Sequence, residues 1–317
     1  MEIFNNSELR PAHAELFYSR GDVNDPRLGE TTTHTSAAYA KAAAVILGCP
    51  QDEGVRRNGG RVGAALAPTE IRRHLYRLTT NGLENLRLLD LGDIVPQATL
   101  EQTHAVQQQV VQRLLEDRKR VIVLGGGNDI SYPDCSALAA IAPKLLAFNI
   151  DAHFDVRADA SVNSGTPYRQ LLEDGSLKAN RFHEVGSHPF SNSATYARWL
   201  ADRKVQVTPL ADLRRRGIER VFRRFIREAH TTAAVFWGFD VDVVRASDAP
   251  GVSAPNPVGM TGEEFCTIAA VAGHEARTRV VEFTECNPAF DVDGRTSRLV
   301  AVAIYHYLAA LAESLRK

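Results

Sequence analysis

Five short stretches of this chain are apolar at nearly every position, and they recur between segments with helical periodicity. They are "AAAVILGCP" (42–50), "RVIVLGGG" (120–127), "KLLAFNID" (144–151), "TAAVFWGFD" (232–240) and "RVVEFTE" (279–285). A strand with one wet face alternates apolar and polar residues, whereas a strand covered on both faces is apolar throughout. Parallel strands also need crossovers, which place helices on both sides of the sheet. The pattern predicts a three-layer α/β/α sandwich with a mainly parallel central sheet.

The intervening segments fit that architecture. Val106, Val110 and Leu114 recur every four residues and mark the apolar stripe of a helix over 103–118. Pro68 suits the first turn of a helix through "TEIRRHLYRL", and "SRLVAVAIYHYLAALAESL" reads as a long C-terminal helix. Residues 1–40 are polar and weakly periodic, so an irregular N-terminal arm is expected there. Residues 41–317 contain no repeat or Gly/Ser linker and are expected to form a single domain.

The stretch "LRRRGIERVFRRFIR" (213–227) carries seven arginines. Its Val221, Phe222, Phe225 and Ile226 fit one apolar stripe, which makes the arginines a solvated face rather than a nucleic-acid site. The chain has a formal net charge of −1, which gives no general attraction to nucleic acid or anionic lipid. Four cysteines without paired spacing fit a reducing compartment. The first residues lack a basic start and an apolar signal core, and no apolar run approaches membrane-spanning length. A soluble cytoplasmic protein is expected, with a small-molecule ligand, no nucleic-acid or membrane partner, and a homo-oligomer as one possible state.

Ligands of open parallel sheets bind beyond the carboxyl ends of the strands. Four of the five stretches end in unusual polar residues there. One runs into Gly-Gly-Gly-Asn128-Asp129. A second gives Asp151, His153, Asp155 and Arg157, a third Asp240 and Asp242, and a fourth Glu285 and Asn287. In an extended chain, residues two apart project to the same side, so the aspartates within each motif are expected to converge. A single strand-end aspartate commonly caps the next helix. Four carboxylates gathered together repel one another unless cations compensate, and two divalent ions cancel four charges.

Mostly oxygen donors with one imidazole suit Mn²⁺ better than Zn²⁺ or Cu²⁺. Two such ions roughly 3.5–4 Å apart can hold a hydroxide nucleophile at neutral pH. The glycine turn does not match a phosphate loop: Ile130 stands where a third glycine belongs, and no Gly-Lys-Ser/Thr follows. Its glycines are expected to let the chain approach the acidic cluster closely. No Gly-x-Ser-x-Gly elbow supports a serine hydrolase.

"GGGND", "DAHFD", "FDVDVV" and "ECNP" resemble, in order, the four signatures of the ureohydrolase (arginase, agmatinase and formimidoylglutamase) family. The segments "DEGVRRNGGRVGAALAP" (52–68) and "SGTPYRQL" (164–171) are most similar to the formimidoylglutamase branch; the other branches carry histidine at the position of Ser164. The resemblance implies Mn²⁺-dependent hydrolysis of N-formimino-L-glutamate to L-glutamate and formamide, a late step of histidine breakdown. It also implies that Asp151 and Asp240 bridge two Mn²⁺ ions. His153 and Asp242 complete one site, and Asp155 serves the other, where Asn128 replaces the family's histidine.

An amide oxygen is a poorer donor than imidazole, so the site near Asn128 is expected to be the weaker. Glu285 is expected to orient the amidine and Asp155 to relay a proton, with Arg157 and Ser164 at the substrate. Arg56, Arg57 and Arg169 are further candidates for the substrate's carboxylates. His183 and His188 are expected to be structural. Two alternatives remain at this level: a guanidino-compound hydrolase, and a metal-poor, non-catalytic protein on the same fold.

Overall fold

A computed structural model describes residues 4–5 and 7–316. The strands of the described residues are β1 (Leu9–Arg10), β2 (Ala44–Gly48), β3 (Leu88–Ile94), β4 (Arg120–Leu124), β5 (Leu145–Ile150), β6 (Phe182–Val185), β7 (Gln206–Thr208), β8 (Ala234–Asp240) and β9 (Thr278–Thr284). They form one sheet in the order β1-β3-β2-β4-β9-β8-β5-β6-β7. Only β1 runs antiparallel to its neighbour. All five apolar stretches are strands, with apolar clusters packed on both faces of the sheet. β4, β9, β8 and β5, whose ends carry the polar motifs, are consecutive neighbours at its centre. Parallel alignment therefore delivers all four motifs to one edge.

The strand β3 has no counterpart among the five apolar stretches, because Asp90, Gly92 and Asp93 interrupt its sequence. The charges are neutralised from a distance. Arg72, on the helix Ala67–Leu75, is fully buried and donates to Asp90 Oδ2 at 2.7 Å and Asp93 Oδ1 at 2.5 Å. Paired and hydrogen-bonded, these ions are tolerated inside; an unpaired one would not be.

The helix expected over 103–118 spans Leu100–Glu116, capped by Thr99 Oγ1 accepting from the Gln102 N–H. Pro68 lies in the first turn of its helix as expected. The arginine-rich segment is two helices, Leu210–Arg216 and Ile218–Glu228, broken at Gly217, whose φ of +83° suits glycine. Val221, Phe222 and Phe225 are buried while Arg215 and Arg223 face outward. The described residues among the first forty are mostly irregular, yet buried Leu9, Leu16 and Leu28 anchor them, and β1 pairs with β3.

One expectation needs correction. The C-terminal helix Arg295–Leu315 is, by length and composition, long and apolar enough to cross a membrane. In the fold it is a core helix: it packs against Gly262–His274 and Ala67–Leu75, burying Val300, Ile304, Tyr307, Leu308 and Leu311.

His183 lies in β6 within an aromatic cage; its ring centroid is 4.1 Å from that of Phe225 and 5.2 Å from that of Phe148. Burial, then the charge of Arg224, lowers it to about 4. The folded state thus binds its proton less tightly than the unfolded chain does. The stability is present above the unfolded value near 6.5 and is lost as pH falls through the folded one. By pH 4 the loss amounts to about 3 kcal/mol. Chemical denaturation at pH 7 and pH 4 is expected to show this loss in the wild type and a smaller one in His183→Phe.

Candidate metal centre and active site

The glycine turn after β4 is pressed between two segments. A Cβ on Gly126 would lie 1.9 Å from the Gln51 carbonyl oxygen, and the Gly126 oxygen accepts from the Glu285 N–H at 2.9 Å. This is the close approach expected of the glycines, and it brings Asn128 to the strand edge. Asp129 points elsewhere, its Oδ2 bonded by Gln51 Nε2 and His104 Nε2, both at 2.7 Å.

The strand edge gathers the aspartates, but not by strand alternation. β5 ends at Ile150, so Asp151, His153 and Asp155 lie in the loop beyond it. Asp242 lies in a 3-10 turn, and Asp240 Oδ1 caps that turn by accepting the Asp242 N–H at 2.9 Å. Asp155 (φ +46°) and Glu285 (φ +62°) hold left-handed backbone conformations, a strain that a functional site retains when its surroundings enforce it.

Ligand-capable atoms of Asp151, His153 and Asp242 lie within 4.8 Å of one another, as do those of Asp151, Asp155 and Asp240. The two groups share Asp151. Its Oδ1 accepts the His153 N–H at 2.7 Å and its Oδ2 accepts Asn149 Nδ2 at 3.2 Å. His153 Nδ1 stands 3.2 Å from Asp242 Oδ2 and 3.4 Å from Asp151 Oδ1.

The electrostatics describe a site short of positive charge. Burial, then the Asp242 charge, pushes Asp151 up to about 6. Burial followed by neighbouring carboxylates drives Asp155, Asp240 and Glu285 well above the ordinary range. Asp242, acting against burial and helped by Asp151, raises His153 to about 12. Asp242 Oδ1 is buried without a hydrogen-bond partner. An oxygen-rich donor set with one imidazole and an unpartnered carboxylate oxygen fits Mn²⁺.

Asn128 is in place but turned. Its Nδ2 donates to Asp155 Oδ2 at 2.6 Å, while its Oδ1 accepts from Ser131 and Thr284 hydroxyls, each at 2.9 Å. The amide nitrogen, not the oxygen, therefore faces Asp155. Its backbone N–H donates to Glu285 Oε1 at 2.9 Å, joining the turn to the end of β9.

Above this floor lies a cavity of about 490 Å³ lined by His153, Asp155, Asp240, Asp242, Glu285, Arg157 and Ser164. Arg157 is half exposed on its wall and donates to Asn58 Oδ1. Asn58 Nδ2 in turn donates to Ser164 Oγ at 3.0 Å. Asn58 thus joins the two expected substrate residues, a role no short-range spacing reveals. It lies within the segment 52–68 that carries the family resemblance. Asn192, Ser193, Tyr196 and Ser253 also line the cavity without a sequence signal.

Arg56, Arg57 and Arg169 are not among the lining residues. Arg56 pairs with Glu53, Arg57 with Glu53 and Glu101, and Arg169 with Glu173. Cys286, beyond the end of β9, is fully buried, and Asn287 Nδ2 ties the site to the Arg61 carbonyl at 2.7 Å.

A model of the arginase family matches residues 42–310. The chain belongs to the arginase family. Within the family, a formimidoylglutamase of Paraburkholderia xenovorans is 32% identical over 307 residues, covering 91% of this chain and 95% of that protein. The crystal structure of Trypanosoma cruzi formiminoglutamase with Mn²⁺ is 34% identical at a TM-score of 0.85, covering 91% of this chain and 99% of that one. A formimidoylglutamase from Bacillus subtilis superposes at 0.87 with 25% identity, covering 94% and 95%. The arginase-family fold is the α/β sandwich that the apolar stretches predict.

Proposed function

We propose that this chain is a Mn²⁺-dependent formimidoylglutamase that hydrolyses N-formimino-L-glutamate to L-glutamate and formamide, within histidine degradation in the cytoplasm. The observation that carries the reading is one cavity with His153, Asp155, Asp240 and Asp242 on its floor, members of two ligand groups joined by the buried Asp151, and with Glu285 and Arg157 on its walls. The names of its family relatives support the same substrate. Its four cysteines are free and buried, which fits a reducing compartment. We read residues 41–317 as one catalytic unit, since the parallel strands run from Ala44 to Thr284, the cavity lining from Asn58 to Glu285, and the C-terminal helix packs against Gly262–His274 and Ala67–Leu75.

Asp151, His153, Asp240 and Asp242 would hold the tighter ion. Asp151, Asp240 and Asp155 would hold the weaker one, with Asn128 contributing its oxygen only after the amide rotates. When bound, Mn²⁺ supplies positive charge and a water activated for attack at neutral pH.

The remaining steps belong to the protein. The substrate's amidinium is planar and cationic, and the buried Glu285 carboxylate accepts its N–H, setting its carbon toward the cavity floor. Water oxygen adds to that carbon as its proton passes to Asp155, the bond to the glutamate nitrogen breaks, and Asp155 returns the proton to the departing amine. Arg157, held by Asn58, offers a forked donor to a substrate carboxylate, with Ser164 beside it.

An anionic end on the substrate accounts for the arginine; a cationic guanidino compound such as agmatine would be repelled by it. Arg157→Gln is expected to raise KM for N-formimino-L-glutamate by about tenfold or more with kcat little changed, because uniform binding is what it removes. Steady-state kinetics check this. Product analysis by NMR separates the substrate readings: formamide and glutamate from N-formimino-L-glutamate are expected, and urea from arginine or agmatine would replace this reading with a guanidino hydrolase.

A further inference from the structure

One register step beneath the ligand-bearing ends lies a second buried polar row. Glu184 on β6 pairs in register with Asn149 on β5, Asn149 with Gly238 on β8, and Gly238 with Glu282 on β9. Neighbours in register share a face of the sheet, and two residues further on in β5 and β8 come Asp151 and Asp240. Glu184 and Asn149 are both fully buried. The cavity does not reach them.

The Asn149 amide nitrogen has two hydrogens and two acceptors, Asp151 Oδ2 at 3.2 Å and Glu184 Oε2 at 3.0 Å. On the other side of the same two side chains, Asn149 Oδ1 and Glu184 Oε1 are both buried without partners. Each such oxygen is costly when left alone in a dry site. Two acceptors cannot satisfy each other, but a proton on Glu184 Oε1 would serve both, its O–H donating to Asn149 Oδ1 while Asn149 Nδ2–H donates to Oε2. Burial, followed by the charge on Asp151, pushes the Glu184 carboxyl well above its ordinary range, in the direction that keeps this proton. The amide cannot then turn its oxygen toward Asp151.

We propose that Glu184 and Asn149 are positioning residues for the metal centre: a neutral Glu184 carboxyl clamps the Asn149 amide, and the clamped amide orients Asp151. The role rests on the proposed metal centre, in which Asp151 serves both ions. Groups that orient metal ligands in this way are typically worth 10–100-fold in metal affinity.

The test combines two readouts on the full-length protein. Metal-free wild type and variants are titrated with Mn²⁺ by calorimetry and electron paramagnetic resonance. Glu184→Gln, which presents an oxygen and an N–H where the neutral acid presents an oxygen and an O–H, is expected to bind the first equivalent within about threefold of wild type. Glu184→Met fills similar space without either bond and is expected to bind it about 10–100-fold more weakly. The infrared difference spectrum of metal-free wild type minus Glu184→Gln is expected to contain a protonated-carboxyl C=O band.

Glutamine binding as weakly as methionine, methionine binding as tightly as wild type, or the absence of the infrared band would each overturn the proposal. Should Glu184→Met fail to fold, the glutamine titration and the infrared band still decide it. Wild type that binds no Mn²⁺ would overturn the metal-centre reading, and the positioning role with it, even where the band is seen.

Discussion

Asp151→Asn is expected to lower activity on N-formimino-L-glutamate at saturating Mn²⁺ by on the order of 10³-fold or more, the scale set by metal-derived transition-state stabilisation. Among the described residues Asp151 is the side chain common to the two groups of close ligand-capable atoms, and with Asp240 it would serve both ions. The same substitution should move stability in opposite directions with and without metal. In the metal-free fold, burial and Asp242 raise the Asp151 carboxyl to about 6. Its contribution is favourable at low pH and is lost as pH rises through that value. At pH 8 the wild type therefore holds a destabilised charge, and a neutral asparagine is expected to stabilise the metal-free protein by about 1–3 kcal/mol. Mn²⁺ should reverse the order, because it stabilises whichever form binds it. Thermal melts at pH 8 with chelator and with Mn²⁺, beside metal content measured after dialysis, check both signs. A variant that retains both ions at wild-type affinity would remove Asp151 from the centre.

Glu285→Gln is expected to lose about 10²–10³-fold in kcat/KM, the effect typical of removing one preorganised electrostatic contact to the reacting group. Its affinity for Mn²⁺ should stay within about threefold of wild type, since Glu285 belongs to neither ligand group. The amide retains an oxygen to accept the Asn128 N–H, as Glu285 Oε1 does, so the turn after β4 keeps its anchor. Loss of activity with intact metal binding separates a substrate contact from a ligand. Full activity in this variant would remove the role assigned to Glu285, and loss of metal would reassign it.

The central sheet was legible because β2, β4, β5, β8 and β9 are covered on both faces and carry uninterrupted apolar runs. β3 was not, since its two aspartates are balanced by Arg72, 18 and 21 residues earlier in the chain, which no local window relates to them. β6 is short, and His183 and Glu184 make it read as polar although all four of its residues are buried. The acidic centre was legible as a pattern but not for the geometric reason the pattern suggested. Its aspartates converge through a loop and a 3-10 turn rather than through extended strand. The direction of the Asn128 amide depends on Ser131, Thr284 and Asp155, and that of Asn149 on Glu184; such contacts across elements leave no trace in spacing.

The most direct test is glutamate release from N-formimino-L-glutamate by protein stripped with chelator and then titrated with Mn²⁺. The predicted result is no activity in the stripped protein and a rise that continues well beyond the first equivalent, as the weaker site beside Asn128 fills. Tight binding of one ion with no glutamate released at saturating Mn²⁺ would contradict the assignment.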